Sequence, residues 1–350
     1  MADPIRFERR TEAAGFFSPL AGMDFAEDRI EIRTDPLTGM TAVASKGLEA
    51  KEEMFLGKAD WEYTDALVAR SREGCFFCPE KVLEATPKYP DDLVPGGRLS
   101  RGRALVFPNL FPLAAVHAVV TYPEKHFLRP REFAQDLLEE GLGAALDFVR
   151  RAAAYYPALT HQQVACNHML PGGASLVHPH FQVFGGEAVP WLTQLYWSRS
   201  AAWKAARGAS FWDQLVEQEE ASGERYVWGD AGVHWLVPFA PAGAREAVAV
   251  APASQRLGDL GDAQVAAFSR GLSKVLTWYE DEGLSAFNFT LYGGPLDGSD
   301  AGFPVVLRVI ARTAFKQDYR TDDYFLQKQL GGELMFAAPE EMAARLRTLF

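Results

Sequence analysis

Three cysteines in 350 residues, Cys75, Cys78 and Cys166, are too few and of the wrong parity for a disulfide framework. Positive charge is also short: 35 Lys and Arg against 46 Asp and Glu give a formal net charge of -11. So acidic a chain is no general binder of nucleic-acid backbones, although a pocket for one nucleotide needs only a few local groups. No apolar run reaches membrane-spanning length, and the first ten residues lack the apolar centre of a secretion signal. The expectation is a soluble, cytoplasmic protein that engages neither nucleic acid nor membrane. Its length suits two domain-sized units or one large one.

What is present concentrates between Asn167 and Gln182, read Asn-His-Met-Leu-Pro-Gly-Gly-Ala-Ser-Leu-Val-His-Pro-His-Phe-Gln. In an extended strand, residues two apart share a face, which groups His178, His180 and Gln182 against Pro179, Phe181 and Val183. The small residues Gly172, Gly173, Ala174 and Ser175 let backbone N–H groups approach an anion. Imidazole beside such a cradle suggests phosphoryl or nucleotidyl chemistry. A His-x-His strand also serves as a structural or metal-binding feature, and the pattern alone leaves these readings open.

Cys75-Phe76-Phe77-Cys78 has the spacing of a metal knuckle, with histidines needed for the missing ligands; a redox dithiol is the rival reading. Upstream, residues 1 to about 28 read as a charged arm. Arg29–Arg33 and Thr41–Ala44 read as a hairpin around Asp35-Pro36-Leu37-Thr38-Gly39. Downstream, strands are expected at Ala104–Phe107, His117–Thr121 and Gln163–Asn167, with a helix over 131–155. A similar series follows, with strands at 234–237, 246–250, 288–292 and 305–310 and a helix over 262–281. Asn288 through Gly293-Gly294 echoes Asn167 through Gly172-Gly173, and Gln255 stands where the first series has His126. We read this as an internal duplication whose second copy has lost the chemistry.

These residues resemble the galactose-1-phosphate uridylyltransferase branch of the histidine-triad superfamily. His178-Pro179-His180-x-Gln182, the upstream Cys pair and the Pro-Leu-Thr-Gly turn carry the likeness, in order, from about Ile30 to Phe184 and more weakly to about 335. The resemblance implies an α+β fold of two fused histidine-triad-like units, an antiparallel half-barrel sheet with flanking helices, in a homodimer. It divides the chain into an arm with hairpin and zinc knuckle (1–98), a catalytic repeat (99–190), a connecting insertion (191–230), and a degenerate second repeat with C-terminal tail (231–350). It implies His180 as a nucleophile forming a covalent nucleotidyl-histidine, and Gln182 as the amide that donates to a phosphoryl oxygen. It implies structural Zn2+ on Cys75, Cys78, His126 and His178. Asn167, Gly172, Gly173 and Ser175 would hold substrate at the phosphates, Asn109, Phe76 and Phe77 at base and ribose, and Lys328 at a phosphate.

The arginines that follow the family's Pro-Leu-Thr-Gly turn are missing, with Lys46 and Lys51 the nearest basic residues, and no second His-x-His exists for another metal. The expected function is a nucleotidyltransferase moving a nucleoside monophosphate between a nucleoside diphosphate sugar and a phosphate-bearing acceptor. The alternatives are a phosphorylase that uses inorganic phosphate to split a nucleoside diphosphate sugar or a dinucleoside polyphosphate, and a silent nucleotide-binding protein. A hydrolase is disfavoured, because the Gln182 amide cannot act as a general acid. Specificity is expected from loops around 46–74, 187–230 and 320–335.

Overall fold

The computed structural model describes residues 3–350; Met1 and Ala2 of the expected arm lie outside them. The arm is a strand. β1 (Glu8–Ser18) pairs along its whole length with β2 (Asp24–Thr34), and β2 pairs with β3 (Thr41–Ser45). Mixed charge hid β1, because both of its faces are solvated and no apolar alternation marks it. The β2–β3 turn is set by Asp35, whose Oδ1 accepts the N–H groups of Leu37 and Thr38 at 3.1 and 2.7 Å. β14 (Gly332–Leu334) adds to β3 in parallel.

The larger sheet takes its strands from two runs of chain. The first run supplies β4 (Leu99–Arg101), β5 (Ala104–Pro108), β6 (Val116–Thr121), β7 (His161–His168) and β8 (His180–Gly186). The second supplies β9 (Tyr226–Asp230), β10 (Val233–Leu236), β11 (Ala247–Ala251), β12 (Ala286–Tyr292) and β13 (Val305–Arg312). All pairings are antiparallel, and the order β4-β5-β6-β8-β7-β12-β13-β11-β10-β9 reads alike from either edge. This is an open two-unit sheet with its seam between β7 and β12.

One face of the sheet carries helices Gln135–Tyr155 and Asp262–Asp281. Val265, Phe268, Leu272, Leu276 and Tyr279 recur at helical spacing and bury one stripe of the second helix. The first helix begins at Gln135 rather than 131, after a short 3-10 turn at Pro130–Glu132, and it stops before Pro157. Gly141 lets it approach β8, since a Cβ there would run into the Tyr122 hydroxyl and the Phe181 ring. Gly141→Ala is expected to cost about 1–3 kcal/mol through overpacking, read as a lower urea midpoint at unchanged slope. An unchanged midpoint would show that the helix can move off without loss.

The opposite face differs between the halves. In the second half, helices Trp191–Arg207 and Phe211–Ser222 pack Tyr196, Trp197, Phe211 and Trp212 over Leu236, Val248, Val250 and Val306, and the hairpin tip inserts Leu37 among them. The first half lacks such a cover and keeps a pocket.

The Asn-to-Gly-Gly echo is not a structural equivalence. Asn167 lies one residue from the end of β7, whereas Asn288 is in the middle of β12. The two asparagines face each other across the seam. A match of spacing in two adjacent antiparallel strands mimicked a match of position.

Candidate functional site

β8 begins at His180, so the run from His178 to Gln182 is not one continuous strand. His178 lies just before it, and the two histidines serve separate places. His178 turns to the Cys75–Cys78 turn, while His180 and Gln182 face the open pocket on the side of the sheet away from Phe181 and Val183, which join the core. The Phe77 ring stands edge-on between them, 5.7 Å from the His178 ring and 5.5 Å from the His180 ring.

His180 is buried, and its Nδ1–H donates to the His178 carbonyl at 2.9 Å. That bond fixes the tautomer and leaves Nε2 with its lone pair. Burial lowers its pKa below the ordinary value, the backbone bond opposing only in part, so the ring is neutral at pH 7.

The pocket encloses about 320 Å³. Of the residues expected at the site, Phe76, Phe77, Asn109, Asn167, Gly173, Ser175, His180 and Gln182 line it together. Phe76 is 56% exposed at the rim, and Phe107, Leu110, Phe111 and Leu176 add apolar wall. Thr86 and Pro87 also reach it from a segment that carried no sequence signal. None of the lining residues comes from 46–74, 187–230 or 320–335, contrary to expectation.

Two further assignments change. The Gly-Gly loop is a 3-10 turn whose own bonds use its donors: Gly173 N–H goes to Leu170 O at 2.9 Å and Ala174 N–H to Met169 O at 3.1 Å. The backbone cradle for an anion is therefore smaller than the glycines suggest, with Ser175 exposed at its edge. Gly172 contributes closeness instead, because a Cβ there would meet the Phe287 carbonyl at 2.9 Å. Lys328 lies in another cavity, beside Arg312 and Tyr324, with Nζ 2.8 Å from Asp323 Oδ2.

Sequence reasoning assigned no role to His117. It sits buried on β6, with Nε2 2.7 Å from Gln182 Oε1. Its link to Gln182 comes from the β6–β8 pairing, in which Val119, two residues along the strand, faces Gln182, and the sequence carries no local signal of it. In the second half, Arg308 faces Val248, two residues after Glu246, and Arg308 Nε lies 2.6 Å from Glu246 Oε1. The ion pair thus occupies the place that His117 and Gln182 hold in the first half. The apolar cover described above leaves it only about 30 Å³ of space.

Cys75, Cys78, His126 and His178 are all buried and bring their ligand atoms within 4.8 Å of one another. Cys75 Sγ is 3.4 Å and Cys78 Sγ 3.7 Å from His178 Nδ1, and Cys78 Sγ is 3.2 Å from His126 Nδ1. Tetrahedral bonds of about 2.0–2.3 Å put neighbouring ligands roughly 3.5 Å apart, so the set fits a metal ion. The outer nitrogens are tied as metal-binding imidazoles require: His178 Nε2–H donates to Tyr122 O and His126 Nε2–H to Val68 O, at 3.1 and 3.2 Å. Burial, and Cys75 beside it, push the Cys78 thiol up to about 11, while burial takes His178 down to about 4. A cation would reverse the first shift and welcome the second.

No family model matches the sequence. An uncharacterized protein of Archaeoglobus fulgidus is 27% identical over 350 residues, spanning 99% of both chains. Among solved structures, an ADP-glucose phosphorylase from Arabidopsis thaliana with bound ADP-glucose matches with a TM-score of 0.69 at 17% identity, covering 91% of this chain and 98% of that one. A GalT-like protein from Arabidopsis thaliana matches with a TM-score of 0.67 at 16% identity, covering 90% and 98%. A uridylyltransferase mutant matches with a TM-score of 0.65 at 19% identity, covering 91% and 98%. The chain therefore carries the fold of these GalT-like structures.

Proposed function

We propose that the protein transfers a nucleoside monophosphate through His180. The observation that carries the reading is a neutral imidazole in a pocket, its Nδ1–H held by the His178 carbonyl and its Nε2 free. In the first half-reaction Nε2 attacks the α-phosphorus of a nucleoside diphosphate sugar. The bond to the bridging oxygen breaks, and the sugar phosphate leaves with the electron pair and without need of a proton. The Nδ1–H keeps its bond to the carbonyl and supports the charge the ring acquires. An acceptor phosphate oxygen then attacks phosphorus and returns the N–P electron pair to Nε2. Gln182 donates its amide to a phosphoryl oxygen throughout. Asn167 and Ser175 contact the phosphates, and Phe76, Phe77 and Asn109 enclose base and ribose.

With inorganic phosphate as acceptor the same two steps make a phosphorylase. This second reading is kept because a phosphorylase is among the structures of the same fold. We further propose that the buried Cys2His2 set holds structural Zn2+, and that the working form is a cytoplasmic homodimer.

Intact mass after incubation with a panel of nucleoside diphosphate sugars and dinucleoside polyphosphates, quenched without acid, tests the reading. An adduct of one nucleoside monophosphate is expected, lost on chase with a sugar phosphate or with inorganic phosphate, whichever is the acceptor. Turnover without any adduct would exclude the covalent route.

The acid limb of kcat/KM carries a second expectation. Protonated imidazole cannot attack phosphorus, and burial lowers the pKa of His180. The midpoint of the acid limb should therefore lie below the ordinary histidine value. A limb above the ordinary histidine value would point to another titrating group.

A further inference from the structure

Two of the pocket's three amides, Gln182 and Asn167, each have their oxygen tied back by groups outside the pocket, and the bonding leaves only one orientation for each. For Gln182 the argument starts at Leu113. Its backbone N–H, which can only donate, lies 3.1 Å from His117 Nδ1. Nδ1 must accept, so in the neutral ring the hydrogen is on Nε2. Nε2–H then donates to Gln182 across 2.7 Å, and the Gln182 atom facing it must be Oε1. The reverse amide would require both ring nitrogens to accept, which a neutral imidazole cannot do. The Asn109 amide nitrogen, 3.2 Å from the same Nε2, is a neighbour and not a partner, since its Oδ1 already accepts Phe111 N–H at 2.9 Å. The Gln182 NH2 is what remains for the pocket.

For Asn167 the argument starts in the second half. Arg312 can only donate, and its guanidinium lies 2.7 Å from Asn288 Oδ1 while Asp322 holds its other side at 2.8 and 2.6 Å. The Gly172 carbonyl can only accept, and Asn288 Nδ2 donates to it at 2.7 Å. Asn288 is thereby fixed at both ends. The same Nδ2 donates across the seam to Asn167 Oδ1 at 2.8 Å. Asn167 Nδ2 is left on the side of the Gly173 turn, where it lies 3.8 Å from the place a Gly173 Cβ would take.

We propose that His117 and the Asp322–Arg312–Asn288 chain are positioning residues: they lock Gln182 and Asn167 as paired NH2 donors beside His180, so that the pocket reads an acceptor-only phosphoryl group. The second half of the sheet thus keeps a role in the first half's site. Two fixed donors also substitute for basic side chains, since neither lysine nor arginine is among the residues lining the pocket. This rests on the nucleotide reading proposed above.

The test compares the binding of the common nucleoside 5′-monophosphates and of their parent nucleosides, by calorimetry. The wild type is expected to bind at least one monophosphate more tightly than its nucleoside. His117→Phe keeps the ring volume against Phe184 but removes the donor to Gln182. Asn288→Asp keeps the shape but turns the Asn167 amide, because a carboxylate accepts and Asn167 must then present its NH2 to the seam and its oxygen to the pocket. Each should weaken the monophosphate about ten- to hundredfold and leave the nucleoside within about twofold. His117→Gln places an amide nitrogen near the former Nε2 and should restore the preference. An unchanged monophosphate-to-nucleoside ratio, an equal loss of both ligands, or no rescue by glutamine would overturn the proposal. If Asn288→Asp does not fold, the His117 variants decide alone. A wild type that prefers no monophosphate would instead sink the nucleotide reading before any variant is made, and this inference with it.

Discussion

His180→Ala is expected to lower turnover by about four orders of magnitude or more, with nucleoside monophosphate still bound. The size follows from the lack of a substitute. His117 points its Nε2–H at Gln182, and His178 has one nitrogen on the cysteine cluster and the other on the Tyr122 carbonyl. Thr86 spends its hydroxyl on the Val82 carbonyl. Ser175 is exposed at the pocket's edge, and its hydroxyl is a weak nucleophile unless a base sits beside it. Alanine leaves the β6–β8 pairing in place, and Phe77 keeps its contacts with Phe107 and His178, so the folded protein should survive. The measurement is steady-state rate with the donor that labels the wild type, together with intact mass. Residual activity within about tenfold of wild type, or an adduct on the variant, would remove His180 from the chemistry.

Cys78→Ser should lose bound zinc and lower the melting temperature by on the order of 10 °C. The four donors come from three places in the chain: the Cys75–Cys78 turn, the loop after β6 and the loop before β8. An ion there ties the Cys75–Cys78 turn to the paired ends of β6 and β8. Taking away one thiolate leaves the others buried without compensation. The effect should reach the rate as well, because His178 faces both ways. Its ring belongs to the cluster, and its carbonyl holds Nδ1–H of His180. Elemental analysis of the purified wild type should give about one zinc per chain. Negligible metal in the wild type even after zinc is supplied, with Cys78→Ser melting within about 2 °C of it, would make the cluster a set of buried thiols and imidazoles only.

Much of the sheet was legible because its strands are apolar and bounded by turn residues, and because Asp262–Asp281 follows helical spacing closely. β1 was not legible, since a strand solvated on both faces has no period to read. The internal repeat was read correctly as two units but on the wrong register. Local spacing of Asn and Gly-Gly does not fix which residues of two corresponding strands are equivalent. Lys328 was placed by its position near the end of the chain, and only the tertiary structure shows it paired with Asp323 in a separate cavity.

The amino-acid sequence alone picked out the residues to which the proposed chemistry is assigned. His180, Gln182, the Cys pair and Asn167 lie in short patterns whose spacing is fixed by strand and turn geometry, and such geometry is local. What only the tertiary structure decided is how those groups are aimed. The tautomer of His117 depends on the Leu113 N–H, and the orientation of Asn167 depends on Asn288 and Arg312 from the other half of the sheet. An amide has no preferred end until a neighbour that can only donate or only accept is brought against it. Those neighbours reach Asn167 from about 120 residues or more along the chain, brought there by the pairing of β7 with β12.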